Sequence, residues 1–114
     1  MIIAMPVTPD GRVGDGWGRA HTVAIAEVTP AGEVVRWEEF EVKWDESHDL
    51  SGEGQHHARI ARFLMDHHVE RVVTGHMGEG MAHMLGRMNI HVVLGVHGVA
   101  RDMAGQFGRT GSVG

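Results

Sequence analysis

The chain has 114 residues, 42% of them apolar, a formal charge of -5, ten histidines and no cysteine. That length supports one hydrophobic core and so one domain, and the excess of carboxylates leaves no basic footprint for nucleic acid. The missing thiols exclude a disulfide framework and any metal cluster held by protein thiolate, and no apolar run approaches the roughly 20 residues of a membrane span.

Met1 to Val7 is a nearly continuous apolar run, the pattern of a strand covered on both faces. It begins without the charged segment of a signal peptide, so a cytoplasmic location is expected. Thr8 to Arg19 contains Pro9, Gly11, Gly14, Gly16 and Gly18 and predicts a long mobile loop. His21 to Val28 alternates as a second strand, Thr29-Pro30-Ala31-Gly32 predicts a type II turn, and Glu33 to Val42 returns as a third strand. Glu38, Glu39 and Glu41 suit an exposed edge where charge resists pairing with another molecule.

Lys43 to Gly54 is polar and predicts a second loop. From Gln55 to His68 the residues Ala58, Ile60, Ala61, Leu64 and Met65 recur at helical spacing. Arg71 to Gly75 reads as a short buried strand, and Met77, Met81, Met84, Leu85 and Met88 form the inner stripe of a second helix. Ile90 to Leu94 is the next strand, and Val99, Met103, Ala104 and Phe107 mark a third helix. One domain over residues 1–107 is expected, with 108–114 as a flexible tail.

This order predicts an α/β protein: a mixed five-stranded sheet of order 3-2-1-4-5, strand 2 antiparallel and helices on both faces, as in ribonuclease H-like folds. Strands 1, 3, 4 and 5 then point the same way, and the loops after them open at the edge where ligands of such sheets bind. Six histidines fall at that rim: His21, His48, His56, His57, His76 and His97. The other four have ordinary explanations. His67 and His68 complement a helix dipole, His83 lies between Glu79 and Arg87 on a solvated helix face, and His91 begins a strand at the opposite edge. The methionine stripe is core by its spacing.

Gly75-His76-Met77-Gly78-Glu79-Gly80 passes from strand to helix, and Gly95-Val96-His97-Gly98 repeats the arrangement on the next strand. Turns of this kind present backbone N–H groups to an anion, although neither has the spacing of a nucleotide-binding loop. Enzyme readings find little support. The central strands lack the carboxylates of a two-metal nuclease, and there is no cysteine nucleophile, no G-x-S-x-G elbow and no H-E-x-x-H. A non-enzymatic protein is expected.

Met1 to Val7, Gly14-Asp15-Gly16-Trp17-Gly18-Arg19-Ala20, Ala58 to Phe63 and His67 to Gly78 together resemble the dinitrogenase iron–molybdenum cofactor family, over a span from Met1 to about Phe107. The family holds small carriers of nitrogenase cofactor precursors and a protein with a molybdenum–copper sulfide cluster. The resemblance implies a ribonuclease H-like fold binding a preformed anionic metal–sulfur cluster at the loop-bearing edge. Gly16-Trp17-Gly18-Arg19 matches a segment that often reads His-Phe-Gly-Arg, so Gly16 here replaces the usual histidine.

The resulting expectation is a carrier or chaperone for an iron–molybdenum–sulfur or other molybdenum-containing sulfide cluster, with cofactor-assembly or acceptor proteins as further partners. Its candidate binding residues are Trp17, Arg19, His21, His56, His76, Gly78 and His97. Such a cluster brings its own sulfide and needs only imidazole, Arg and backbone N–H partners. Two alternatives stay open: an interaction or regulatory domain of the same fold without a cluster, and a mononuclear zinc, nickel or copper site made by three rim histidines.

Overall fold

A computed structural model describes residues 1–47 and 52–111. Its strands are β1 (Ile2–Pro6), β2 (Thr22–Val28), β3 (Val34–Glu41), β4 (Arg71–Val73) and β5 (His91–Val93). Its helices are α1 (Trp44–Ser47), α2 (Glu53–Asp66), α3 (Glu79–Arg87) and α4 (Ala100–Gly108). The sheet order is β3-β2-β1-β4-β5, with β2 antiparallel to both neighbours and β1, β4 and β5 parallel. This is the expected topology.

Strand parity divides the core into two layers. Ala4, Val23, Ile25 and Val72 face α2 and α3, where Ile60, Leu64, Met81 and Leu85 complete one cluster. Ile3, Met5, Ala24, Ala26 and Val73 face the other way onto Ala100 and Ala104 of α4. The outer strand keeps this division by a change of register between Glu27 and Val28. That bulge lets Val34 and Trp37 both face α4 while Phe40 faces the opposite layer.

Several sequence expectations need correction. Ala31 does not take a positive φ; the left-handed residue is Gly32, at φ 93, one place later than a type II turn requires. There Gly32 meets α4 closely, since a Cβ on Gly105 would lie 2.8 Å from the Gly32 carbonyl oxygen. The 43–54 segment holds a helical turn, and its Trp44 is only 2% exposed. The first loop is fastened along its length: Val7 pairs with Val13, Arg12 with Val99 and Gly16 with His76. Gly108 ends α4 as a buried residue, and the Thr110 and Gly111 amides donate to the Pro30 carbonyl. Residues 112–114 lie outside the described part.

Candidate functional site

A cavity of about 380 Å³ opens beside the Trp17–Arg19 loop at the carboxyl edge of the sheet, between the starts of α2 and α3. Gly18, Glu53, His56, His57, Gly78, Glu79, Gly80 and Met81 line it. The two helices begin here because each follows a glycine in extended backbone, Gly52 and Gly78, at the N-cap position. Neither N-cap glycine supplies a side-chain hydrogen bond to the first-turn amides of its helix. Two helix N-termini, each carrying the partial positive charge of its dipole, therefore share one cavity wall.

His56 is 4% exposed, and its Nε2 lies 2.7 Å from the Gly18 carbonyl oxygen. It occupies the buried stripe of α2 with Ile60 and Leu64, at four-residue spacing. His57, next in sequence, pairs with Glu53 at 3.7 Å. Glu53 and Glu79 also reach the lining, so the cavity combines acidic side chains with amide donors, imidazole and the Met81 thioether.

The loop wall is joined to the α3 wall through backbone. His76 N–H donates to Asp15 O at 2.5 Å, and Trp17 N–H donates to His76 O at 3.1 Å. Thr74, fully buried at the end of β4, receives the Val96 amide on its carbonyl and donates its own to Val93 O.

Of the sequence-derived candidates, the structure brings only His56 and Gly78 to this cavity. Trp17 is fully buried, its ring packed on Trp44 behind the loop rather than presented to a ligand. Its indole Nε1 has no hydrogen-bond acceptor among the described residues. Arg19 is exposed one residue beyond the lining Gly18. His76 is exposed, and His97 faces Asp15 at 3.9 Å instead of the cavity. His21 lies outside the lining, surrounded by Glu41, Asp45 and Glu46. His48 lies outside the described residues. A mononuclear site of three rim histidines finds no counterpart: among the described residues no three of them bring ligand atoms within 4.8 Å of one another.

Gly18, Glu53, His57 and Met81 line the cavity without being sequence-derived candidates, while Glu79 and Gly80 belong to the Gly75–Gly80 turn singled out from the sequence. His57 was legible as a rim histidine, and its i,i+4 relation to Glu53 was a signal for pairing. His67, read as a dipole partner, instead packs on both Phe40 and Phe63 with ring centroids 4.6 Å away.

Comparison with known proteins agrees with this architecture. The crystal structure of a protein designated PH0822 superposes with a TM-score of 0.74 at 24% identity, covering 96% of this chain and 91% of that one. At that identity the likeness shows a shared fold. No curated protein matches the sequence. Residues 1–110 match the family described as dinitrogenase iron-molybdenum cofactor. The chain belongs to the dinitrogenase iron-molybdenum cofactor family.

Proposed function

We propose that this protein is a non-enzymatic carrier for an anionic metal–sulfur cluster, of the iron–molybdenum or another molybdenum-containing sulfide type, held in the cavity between α2 and α3. The observation carrying this reading is the pair of helix N-termini without side-chain caps that open on the same cavity. Amide donors and aligned dipoles favour an anion there. Family membership supports this class of cargo.

The donor set fits a cluster that arrives complete. With no cysteine in the chain, the protein offers imidazole from His57, thioether from Met81 and amides from the Gly78–Met81 turn. His57 exchanges its contact with Glu53 for the cargo, and His56 positions the Gly18 wall through its bond to that carbonyl. A carrier must also release what it holds, and acceptor or assembly proteins are the corresponding partners.

The test is anaerobic incubation with isolated iron–molybdenum cofactor and, separately, tetrathiomolybdate, followed by gel filtration with visible absorption and metal analysis. Wild type is expected to co-elute with stoichiometric molybdenum. Gly78→Leu places a side chain at a residue whose φ of -63 accepts one and whose Cβ meets nothing within 4 Å, so the variant folds and fills the cavity. It is expected to lose the cargo. Failure of wild type to retain either probe, or unchanged retention by folded Gly78→Leu, overturns the assignment.

A further inference from the structure

A second donor set lies apart from the cavity lining, where β2 begins. His21 Nδ1 stands 3.1 and 3.0 Å from the two carboxylate oxygens of Asp45 and 3.7 Å from Glu46 Oε2. Its Nε2 faces Glu41 Oε1 at 3.4 Å. One ligand atom each from His21, Asp45 and Glu46 falls within 4.8 Å of the others.

The imidazole makes this more than a patch of acid. A neutral ring has one N–H, and its other nitrogen is a lone pair. With carboxylate oxygens facing both nitrogens, one lone pair always confronts a carboxylate, an arrangement that a cation between them relieves. Among the described residues Lys43 pairs with Glu41, at 3.6 Å, while Asp45 and Glu46 face the histidine.

Backbone hydrogen bonds hold the two donor segments together independently of the side chains. Lys43 N–H donates to His21 O at 3.0 Å, and the Trp44 and Asp45 amides donate to Ala20 O at 2.9 and 3.3 Å. Trp44 is buried immediately before the two carboxylate donors. The side chains themselves stay 43–61% exposed, which leaves coordination positions open to water.

We propose that His21, Asp45 and Glu46 form a divalent-cation site, with Glu41 as a further oxygen donor. One imidazole with two or three carboxylates suits borderline to hard ions such as Zn²⁺, Co²⁺ or Mn²⁺. It lacks the thiolate or thioether that selects Cu⁺. The site is independent of the cavity and of the cargo proposed for it. A proton on the imidazole is the rival occupant.

The experiment titrates the full chain, stripped with chelator, with Mn²⁺ and Zn²⁺ at near-neutral pH by calorimetry, while NMR follows the histidine ring protons. One equivalent is expected to bind saturably, with Mn²⁺ broadening the His21 resonances first. His21→Gln and Asp45→Asn each weaken that binding by at least about tenfold, the scale on which metal sites respond to lost supporting groups. Both substitutions fall at exposed positions, and circular dichroism confirms the fold. His68→Gln/His83→Gln/His91→Gln retains the bound equivalent, which separates the site from incidental uptake by other histidines. Absence of saturable binding, equal affinity in His21→Gln and Asp45→Asn, or loss in the triple variant overturns the proposal.

Discussion

Trp17 and Trp44 meet edge to face, their ring centroids 5.1 Å apart at 72°, and both are buried. Phe63 of α2 extends the stack by packing on Trp44 at 5.5 Å. Trp17 immediately precedes Gly18 at the cavity, and Trp44 immediately precedes Asp45 at the proposed cation site. One aromatic contact thus underlies two loops with different chemistry. Trp44→Ala is expected to lower unfolding free energy by about 3–5 kcal/mol, and Trp44→Phe by less because ring contact persists. Urea unfolding followed by far-ultraviolet circular dichroism measures both. A Trp44→Ala variant as stable as wild type contradicts this packing account.

Two glycines in helices predict opposite outcomes. A Cβ on Gly86 of α3 meets nothing within 4 Å, so Gly86→Ala gains helix propensity and is expected to stabilise by about 0.4–1 kcal/mol. A Cβ on Gly105 of α4 meets the Gly32 backbone oxygen at 2.8 Å, and backbone yields poorly. Gly105→Ala is expected to destabilise by about 1–3 kcal/mol as the helix is pushed from the turn. Thermal unfolding of the two variants beside wild type checks the difference in sign.

The paired histidines after α2 should also separate. His68 holds a left-handed conformation at φ 56, which glycine adopts without cost, so His68→Gly is expected to be neutral or to stabilise by up to about 1 kcal/mol. His67 sits in the ring cluster of Phe40 and Phe63, and His67→Ala is expected to lose about 0.5–1.5 kcal/mol through its ring contacts. Equal stability changes in denaturant titrations of the two variants refute this distinction.

Asp10 carries a pH dependence with a definite sign. The hydrogen bond from the Thr8 hydroxyl holds its carboxyl below the ordinary aspartate value, opposed by slight desolvation and helped by the Asp10 backbone amide and Arg12. A lowered folded-state pKa contributes stability above the unfolded-state value and loses it as pH falls through the folded-state value. The small margin of wild type over Asp10→Asn is therefore expected to be constant near neutrality and to shrink below about pH 4. Stability measured across acidic pH checks it; a margin that grows on acidification reverses the assigned sign.

Strand order was readable because β1, β4 and β5 lie in short apolar runs, β2 alternates and a Pro-Gly turn returns the chain as β3, and the hairpin followed by helical crossovers permits few topologies. The cavity was harder to see. His56 belongs to the buried stripe, yet a count of apolar positions passes over a histidine. Trp44 stands among Lys43, Asp45 and Glu46, where a lone aromatic has no periodic partner to reveal its burial. Placing histidines at one edge also could not separate those facing the cavity from His76, His97 and His21, because loop side chains diverge over a few residues. Only the three-dimensional path distinguishes His57, beside Gly80, from His21, among carboxylates.

The bridge between Gly16 and His76 joins the loop before β2 to the turn before α3 by main-chain bonds on both sides of His76. No described backbone hydrogen bond runs from α2 to either of those segments; the His56 ring supplies a side-chain tie through Gly18 O. The three walls are therefore mechanically unequal. Loop and α3 are joined through main chain, whereas the described tie between α2 and the loop is the His56 ring on Gly18 O. Widening the cavity on the α2 side would break the His56–Gly18 bond, whereas widening it between loop and α3 would break main-chain bonds at His76.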